Sequence, residues 1–327
     1  MAPQRGETDD LVQTAWLYHV GGLSQEEVSR RLGISRFKVL RLLAEARETG
    51  LVRVSINHET TGTLALADRL AARFGLTEVQ VAPMAGMPEG DAIARRAVGI
   101  LSAGFLARIG RGDAALTIGV GWGRTLAAAA EALTGLRNPK LTFVSLMGSM
   151  ARTSDTSPFD VCARFAGLTG GGAMFMPAPF LADSVEDCRV ILRQRMVRET
   201  LEVARRADHA IISVGECAPG ALLYEGSLLT AEEAAALAAA GTVADSTGKF
   251  FRADGSLADT PLNDRAPSVD LDDLRRTDVT LVAAGAVKAR AVLAVLRAGF
   301  VNRLIVDAVL GERLAAMAEG AGKPVQD

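Results

Sequence analysis

The chain has 327 residues, 49% of them hydrophobic, with 36 Lys and Arg set against 38 Asp and Glu for a formal charge of -2. That length exceeds one ordinary domain and supplies a large apolar core, while the near-neutral balance argues against a general polyanion binder, so any nucleic-acid contact must be local. No apolar run reaches the roughly 18 residues that a membrane span needs. Met1 to Asp10 also lacks the apolar centre of a signal peptide, and Cys162, Cys188 and Cys217 have no C-x-x-C spacing. A cytoplasmic protein with reduced, packed cysteines and no membrane partner is expected.

Leu11 to Val20 reads as a first amphipathic helix, ended by Gly21-Gly22. Ser24 and Glu27 then have the S-x-x-E form of a capping box, opening a helix whose Val28 and Leu32 lie one turn apart and which stops at Gly33. Ser35 caps a second helix with Val39, Leu42, Leu43 and Ala46 at i, i+3, i+4 and i+7, and Gly50 closes it. Between Val28 and Ala44 the charged residues are Arg30, Arg31, Arg36, Lys38 and Arg41, with no acid among them. Two capped helices around a tight turn with a basic face form a helix-turn-helix pattern, whose second helix enters the major groove of double-stranded DNA. Ser24, Gln25, Arg30, Ser35, Arg36, Phe37, Lys38 and Arg41 are the expected DNA contacts. Arg36 and Arg41 should contribute most, because a guanidinium can fork onto guanine or phosphate. Phe37 either touches a thymine methyl or fills a gap against the first helix.

Leu51 to Ile56 alternates apolar and polar residues, as the wing strand of a winged domain would, and a boundary follows, giving a DNA-binding domain over 1–58 and a second domain over 59–327. Leu64 to Phe74 resumes a helical pattern through Leu64, Ala67, Leu70, Ala71 and Phe74, and Glu78 to Ala82 reads as a strand. Apolar runs at Ala115–Val120, Leu141–Leu146, Ala210–Val214, Val279–Ala284 and Arg303–Val306 are mostly followed by helix-forming stretches. Such strands, buried on both faces and joined by helices, predict an open α/β parallel sheet.

Ligands of open α/β sheets gather beyond the carboxyl ends of the strands. The leading candidate there is Gly119-Val-Gly-Trp-Gly-Arg-Thr125, where Gly119, Gly121 and Gly123 let backbone amides approach an oxyanion at a helix N-terminus. Arg124 adds a counter-charge, Thr125 a hydroxyl, and Trp122 either walls a sugar pocket or packs. The third glycine comes too early for a dinucleotide fingerprint, and the Gly-Lys-Ser/Thr of a nucleotide P-loop is absent. Lys288, in Ala283-Ala-Gly-Ala-Val-Lys288, could reach back to an anion. Asp245 and Asp307 stand where they could bind sugar hydroxyls or cap a turn or helix. None of His19, His58 and His209 falls in these loops and no nucleophile–base pair is evident, so no catalytic residue, metal or cofactor is expected. A carboxylate acting as base keeps a sugar-phosphate isomerase or deaminase open as the alternative.

These motifs together resemble the SorC, or DeoR-like, family of sugar-responsive transcriptional regulators, over about Leu11 to Leu314. The resemblance rests on Gly22-Leu-Ser-Gln-Glu-Glu-Val, Leu32-Gly-Ile-Ser-Arg36 and Ile118-Gly-Val-Gly-Trp-Gly-Arg-Thr-Leu126. It extends to Met176-Pro-Ala-Pro179, Ala207-Asp208, Gly241-Thr-Val-Ala-Asp-Ser-Thr-Gly-Lys-Phe-Phe251 and Ala284-Gly-Ala-Val-Lys288. It implies a Rossmann-like effector domain of the ribose-phosphate isomerase, glucosamine-phosphate deaminase and coenzyme A transferase type. It further implies a sugar, polyol or sugar-phosphate effector at the loops of Gly119–Thr125 and Lys288, and a homodimer or homotetramer. Here the family's Leu-Asn-Gly-Gly is Leu146-Met-Gly-Ser149, its Gly-Ile-Gly is Val214-Gly-Glu216, its glycine before Asp245 is Ala244, and Arg252 stands where an acid is common. Val144-Ser-Leu-Met-Gly-Ser149 looks most like the polyol and erythritol branch.

Overall fold

A computed structural model describes residues 5–52, 61–84, 90–150, 157–218, 221, 223–224 and 228–320. The chain divides into two compact units, Met1–His58 and Glu59–Asp327.

The first unit holds α1 (Arg5–His19), α2 (Gln25–Leu32) and α3 (Arg36–Glu48). The reciprocal Ser24–Glu27 capping box is formed, and its hydrogen bonds hold the Glu27 carboxyl below the usual glutamate range. Gly33 ends α2 in the left-handed conformation (φ 65°) and Ser35 caps α3 through the Lys38 amide. Val28, Val39 and Leu43 are buried together, with Leu17, Tyr18, Leu23, Leu32 and Ile34 packed around them. Full burial of such side chains contributes about 1.5–3 kcal/mol each, so this small core is what holds the turn in shape. The wing expected at Leu51 to Ile56 lies largely outside the described residues.

In the second unit the elements run α4 (Thr61–Phe74), β1 (Glu78–Ala82), α5 (Asp91–Ile109), β2 (Leu116–Val120), α6 (Arg124–Ala132), β3 (Leu141–Ser145), α7 (Pro158–Thr169) and β4 (Gly172–Met174). They continue through α8 (Val185–Arg193), α9 (Arg195–Arg205), β5 (His209–Ser213), β6 (Gly215–Glu216), α10 (Ala231–Ala239), β7 (Thr242–Ser246), β8 (Lys249–Arg252), α11 (Leu262–Arg265) and α12 (Leu271–Leu274). β9 (Asp278–Ala283), a 3-10 turn (Ala286–Lys288), α13 (Ala289–Arg297), β10 (Arg303–Asp307) and α14 (Ala308–Gly320) complete it.

Seven strands form one sheet in the order β1-β10-β9-β5-β2-β3-β4, and every pair in it is parallel. Alternate residues of a strand point to opposite faces, and the core divides accordingly. Leu304 and Val306 of β10 join Ala210 and Ile212 of β5 in one cluster with α4, α9, α13 and α14. Ile305 and Ile211 join the other, against α5, α6 and α7. Along α4 the buried face is Leu66, Ala67 and Leu70, while Leu64, expected inward, is 47% exposed.

From β2 the chain builds outward through β3 and β4, then returns to the other side of β2 to lay down β5. The strand order therefore reverses between β2 and β5, where a crevice opens at the carboxyl ends. A separate antiparallel sheet, β6-β7-β8, starts right after β5. Its β7–β8 turn puts Thr247 (φ 50°) and Gly248 (φ 76°) at positive φ, the geometry of a tight two-residue hairpin. The Ser246 hydroxyl donates to the Ser213 carbonyl at 2.8 Å and so ties this sheet to the end of β5.

Candidate functional site

A partly open cleft occupies the crevice at the β2/β5 reversal. Its walls come from the β2–α6 loop (Trp122, Gly123, Arg124, Thr125), the β5–β6 junction (Ser213, Val214, Gly215, Glu216), Arg95 of α5, Leu223, Asp245 of β7 and Lys288. Their contacts set its chemistry.

Trp122 is buried and meets the Phe180 ring edge-on at 5.6 Å, so the indole both packs and walls the cleft. The Ser213 hydroxyl donates to its carbonyl. Gly123 has φ 118°, and a Cβ there would lie 2.8 Å from Ser213 Oγ; both conformation and space require glycine. Arg124 opens α6 and is exposed, while Thr125 is buried. Arg95 is half-buried, and neither arginine has an acidic partner among the described residues.

At the inner end the Lys288 ammonium donates to Glu216 Oε2 at 2.7 Å and to the Val214 carbonyl at 2.8 Å. Asp245, paired in register with Gly215, is 1% exposed, and its Oδ1 has no hydrogen-bond partner. Burial pushes the Asp245 carboxyl up to about 7; Lys288 opposes that rise and Glu216 adds to it. Cys217, next along, is pushed far above the ordinary thiol range by burial and by the nearby Asp245 and Glu216. Cys162 and Cys188 are buried, and all three cysteines are free.

Not every residue expected at the site faces it. A Cβ on Gly119 would lie 2.5 Å from Leu146 Cδ2, and one on Gly121 would lie 3.3 Å from Ile212 Cα. These two glycines let the sheet and its loops pack closely, and they do not line the cleft. Asp307 is fully buried, and its oxygens accept from the Gly285 amide at 2.7 Å and the Leu310 amide at 3.0 Å, so it clasps a loop to the start of α14. Lys288 is not free at a helix end, because Glu216 already holds it. Arg95, Ser213 and Glu216 were not singled out as ligand groups from the sequence. Only the departure of Val214-Gly-Glu216 from the family pattern pointed toward them.

In the first unit Arg30, Arg36 and Arg41 are exposed, as are Ser24 and Ser35; Gln25 is half-buried. Phe37, at 87% exposure, stands in solvent at the start of α3 and fills no gap. Lys38 differs from expectation: its ammonium lies 2.7 Å from Asp10 of α1, both half-covered, so it braces two helices. Arg31, Arg36 and Arg41 have no acidic partner among the described residues.

A fully parallel sheet with a polar cleft at its strand-order reversal, following a capped helix-turn-helix, defines a ligand-receiving regulator class. Residues 58–314 match the model of the sugar-binding domain family, Sugar-bind, and the chain belongs to that SorC/DeoR-type family of transcriptional regulators. It is 34% identical to the erythritol catabolism regulatory protein EryD of Brucella abortus over 317 residues, spanning 96% of this chain and 99% of that one. The transcriptional regulator LsrR of an Enterobacter species is 28% identical over 329 residues, spanning 95% and 94%. Among solved structures, the full-length sorbitol operon regulator SorC of Klebsiella pneumoniae superposes with a TM-score of 0.70 at 23% identity, over 94% of this chain and 99% of that one.

Proposed function

We propose that α3 of the first unit reads operator DNA in the major groove, and that the cleft of the second unit receives a small sugar, polyol or sugar phosphate whose binding changes operator affinity. On this reading Arg36, Phe37 and Arg41 meet the bases, while Arg30, Arg31 and the amide ends of α2 and α3 meet phosphates. Trp122, Arg124, Thr125, Asp245, Lys288 and the newly placed Arg95 and Glu216 surround the effector. The protein acts in the cytoplasm as a homodimer or homotetramer, since two heads are needed to address a two-fold operator.

The observation that carries the reading is the buried, unpartnered oxygen of Asp245 beside the Lys288–Glu216 pair in a cleft. A buried carboxyl and a bonded ammonium–carboxylate pair at the end of a cleft are polar groups already fixed in place, which suits a hydroxylated ligand. Support for a polyol comes from the likeness to a regulator named for erythritol catabolism. Linkage fixes the mechanism: an effector that prefers one arrangement shifts DNA affinity by the same coupling free energy, typically about 1–3 kcal/mol. The test is a thermal-shift screen of the full chain against polyols, sugars and their phosphates, followed by DNA titration with and without each hit. Hits that stabilise the protein and leave affinity for a duplex selected from a randomised pool unchanged would overturn it.

One observation favours a second reading, catalysis. A carboxyl brought to about 7 beside a lysine is poised as a general base. Turnover of aldose and ketose phosphates followed by proton exchange from solvent decides between them, and exchange abolished in Asp245→Asn would establish the enzyme.

A further inference from the structure

The charged side chains of the cleft fall into two sets. Arg95 and Arg124 have no acidic partner among the described residues. Lys288 and Glu216 are only 14% and 17% exposed and are bonded to each other. Asp245 lines the same cleft and packs against Gly215, where a Cβ would sit 2.0 Å from its buried Oδ1.

An ammonium already bonded to the Glu216 carboxylate, with the Asp245 carboxyl also within reach of its charge, has little attraction left for an anion. Of its three donors, two are used, by Glu216 and the Val214 carbonyl. What remains is one donor on Lys288 and the second carboxylate oxygen of Glu216, with Asp245 lining the same end of the cleft. A vicinal diol, in which each hydroxyl both donates and accepts, matches that set. A carboxylate or phosphate in the same place would face the Glu216 carboxylate at close range, a repulsion that discriminates more strongly than any missing contact.

We propose that Glu216 is the specificity-setting residue of the cleft: by engaging Lys288 it makes the inner end accept a neutral, hydroxylated terminus, and it confines any anionic group of the ligand to Arg95 and Arg124. The proposal rests on the cleft being the effector site.

The experiment uses three compounds with one carbon skeleton and no, one or two terminal carboxylates: erythritol, erythronate and meso-tartrate, with the five-carbon series ribitol, ribonate and ribarate in parallel. Binding to the full-length protein is measured by titration calorimetry. The parent chain is expected to bind the neutral and singly charged members and to exclude the doubly charged one. Glu216→Gln, which frees the ammonium, should raise the affinity for the doubly charged member relative to the neutral one by about tenfold or more, and Glu216→Asp, which keeps the charge, should not. A parent chain that binds meso-tartrate or ribarate as tightly as the polyol overturns the proposal without any variant. So does a Glu216→Gln protein whose ratio stays within about twofold of the parent's while the polyol still binds; in that case the effector site stands and only the role of Glu216 falls. If the parent binds no member of either series, the assignment of the cleft fails and this proposal fails with it.

Discussion

On the first unit Arg31, Arg36 and Arg41 stand in solvent without an acidic partner among the described residues, whereas in the second Lys288, Glu216 and Asp245 press against one another under the surface. The arginines contribute little to folding and stay hydrated. The cleft groups have already lost most of their water, and their mutual arrangement is part of the fold. Exposed charges of the first kind keep their water, whereas those of the second kind are fixed in advance by one another.

The difference is sharpest for Lys288→Ala, which strands Glu216 and Asp245 without their cation. Breaking a buried pair in this way costs about 3–5 kcal/mol, so the melting temperature should drop by several degrees, and any effector-induced stabilisation should vanish. A variant that melts with the parent would mean that the pair is too hydrated to matter.

Asp245→Asn should act in the other direction and depend on pH. The folded state raises this carboxyl from about 3.8 to about 7, so between these values the native protein binds more protons than the unfolded chain, and stability falls as pH rises. Removing the ionisable group should stabilise the protein by about 2–4 kcal/mol at pH 8 and by little near pH 4. Denaturant melts at both pH values check this, and an equal effect at the two would break the assignment.

Arg36→Ala and Arg41→Ala should each weaken DNA binding by about 1–3 kcal/mol while leaving the melting curve unchanged. An arginine on a phosphate lowers the salt dependence when removed, whereas one on a base relaxes sequence preference, so titration at several salt concentrations separates the two roles. Lys38→Ala should have the smallest effect. Its pair with Asp10 is half-exposed, about 35% and 34%, and the expected loss is under about 1 kcal/mol of stability. A loss of DNA affinity as large as that of Arg36→Ala would restore Lys38 to the interface.

Much of this was legible in the sequence because it is locally written. The caps at Ser24 and Ser35 act on amides three residues away, and the continuous apolar runs of β2, β5, β9 and β10 mark strands buried on both faces. What escaped depends on distant pairing. Thr242–Ser246 carries too many polar residues to read as a buried strand, and Gly215–Glu216 is too short, yet together with Lys249–Arg252 they form the sheet that brings Asp245 to the cleft. Lys38 finds Asp10 across 28 positions and Lys288 finds Glu216 across 72, separations at which no periodicity operates. Glycines at 119, 121 and 123 look alike in sequence, but only Gly123 lines the ligand space.

The carboxylate of Asp307 has a mechanical meaning. It is a rivet through two plates: one is the turn that begins at Gly285 and carries Lys288, the other the head of α14. α14 rests on α4, where Gly311 fits against Leu66 and Leu70 and Arg73 reaches the Ala318 carbonyl. α4 is also the first helix of the second unit. Asp307 thus joins the turn that carries Lys288, the head of α14 and, through α14, the opening helix of the second unit into one continuous run of contacts, and a short acid at the end of a strand becomes a strut.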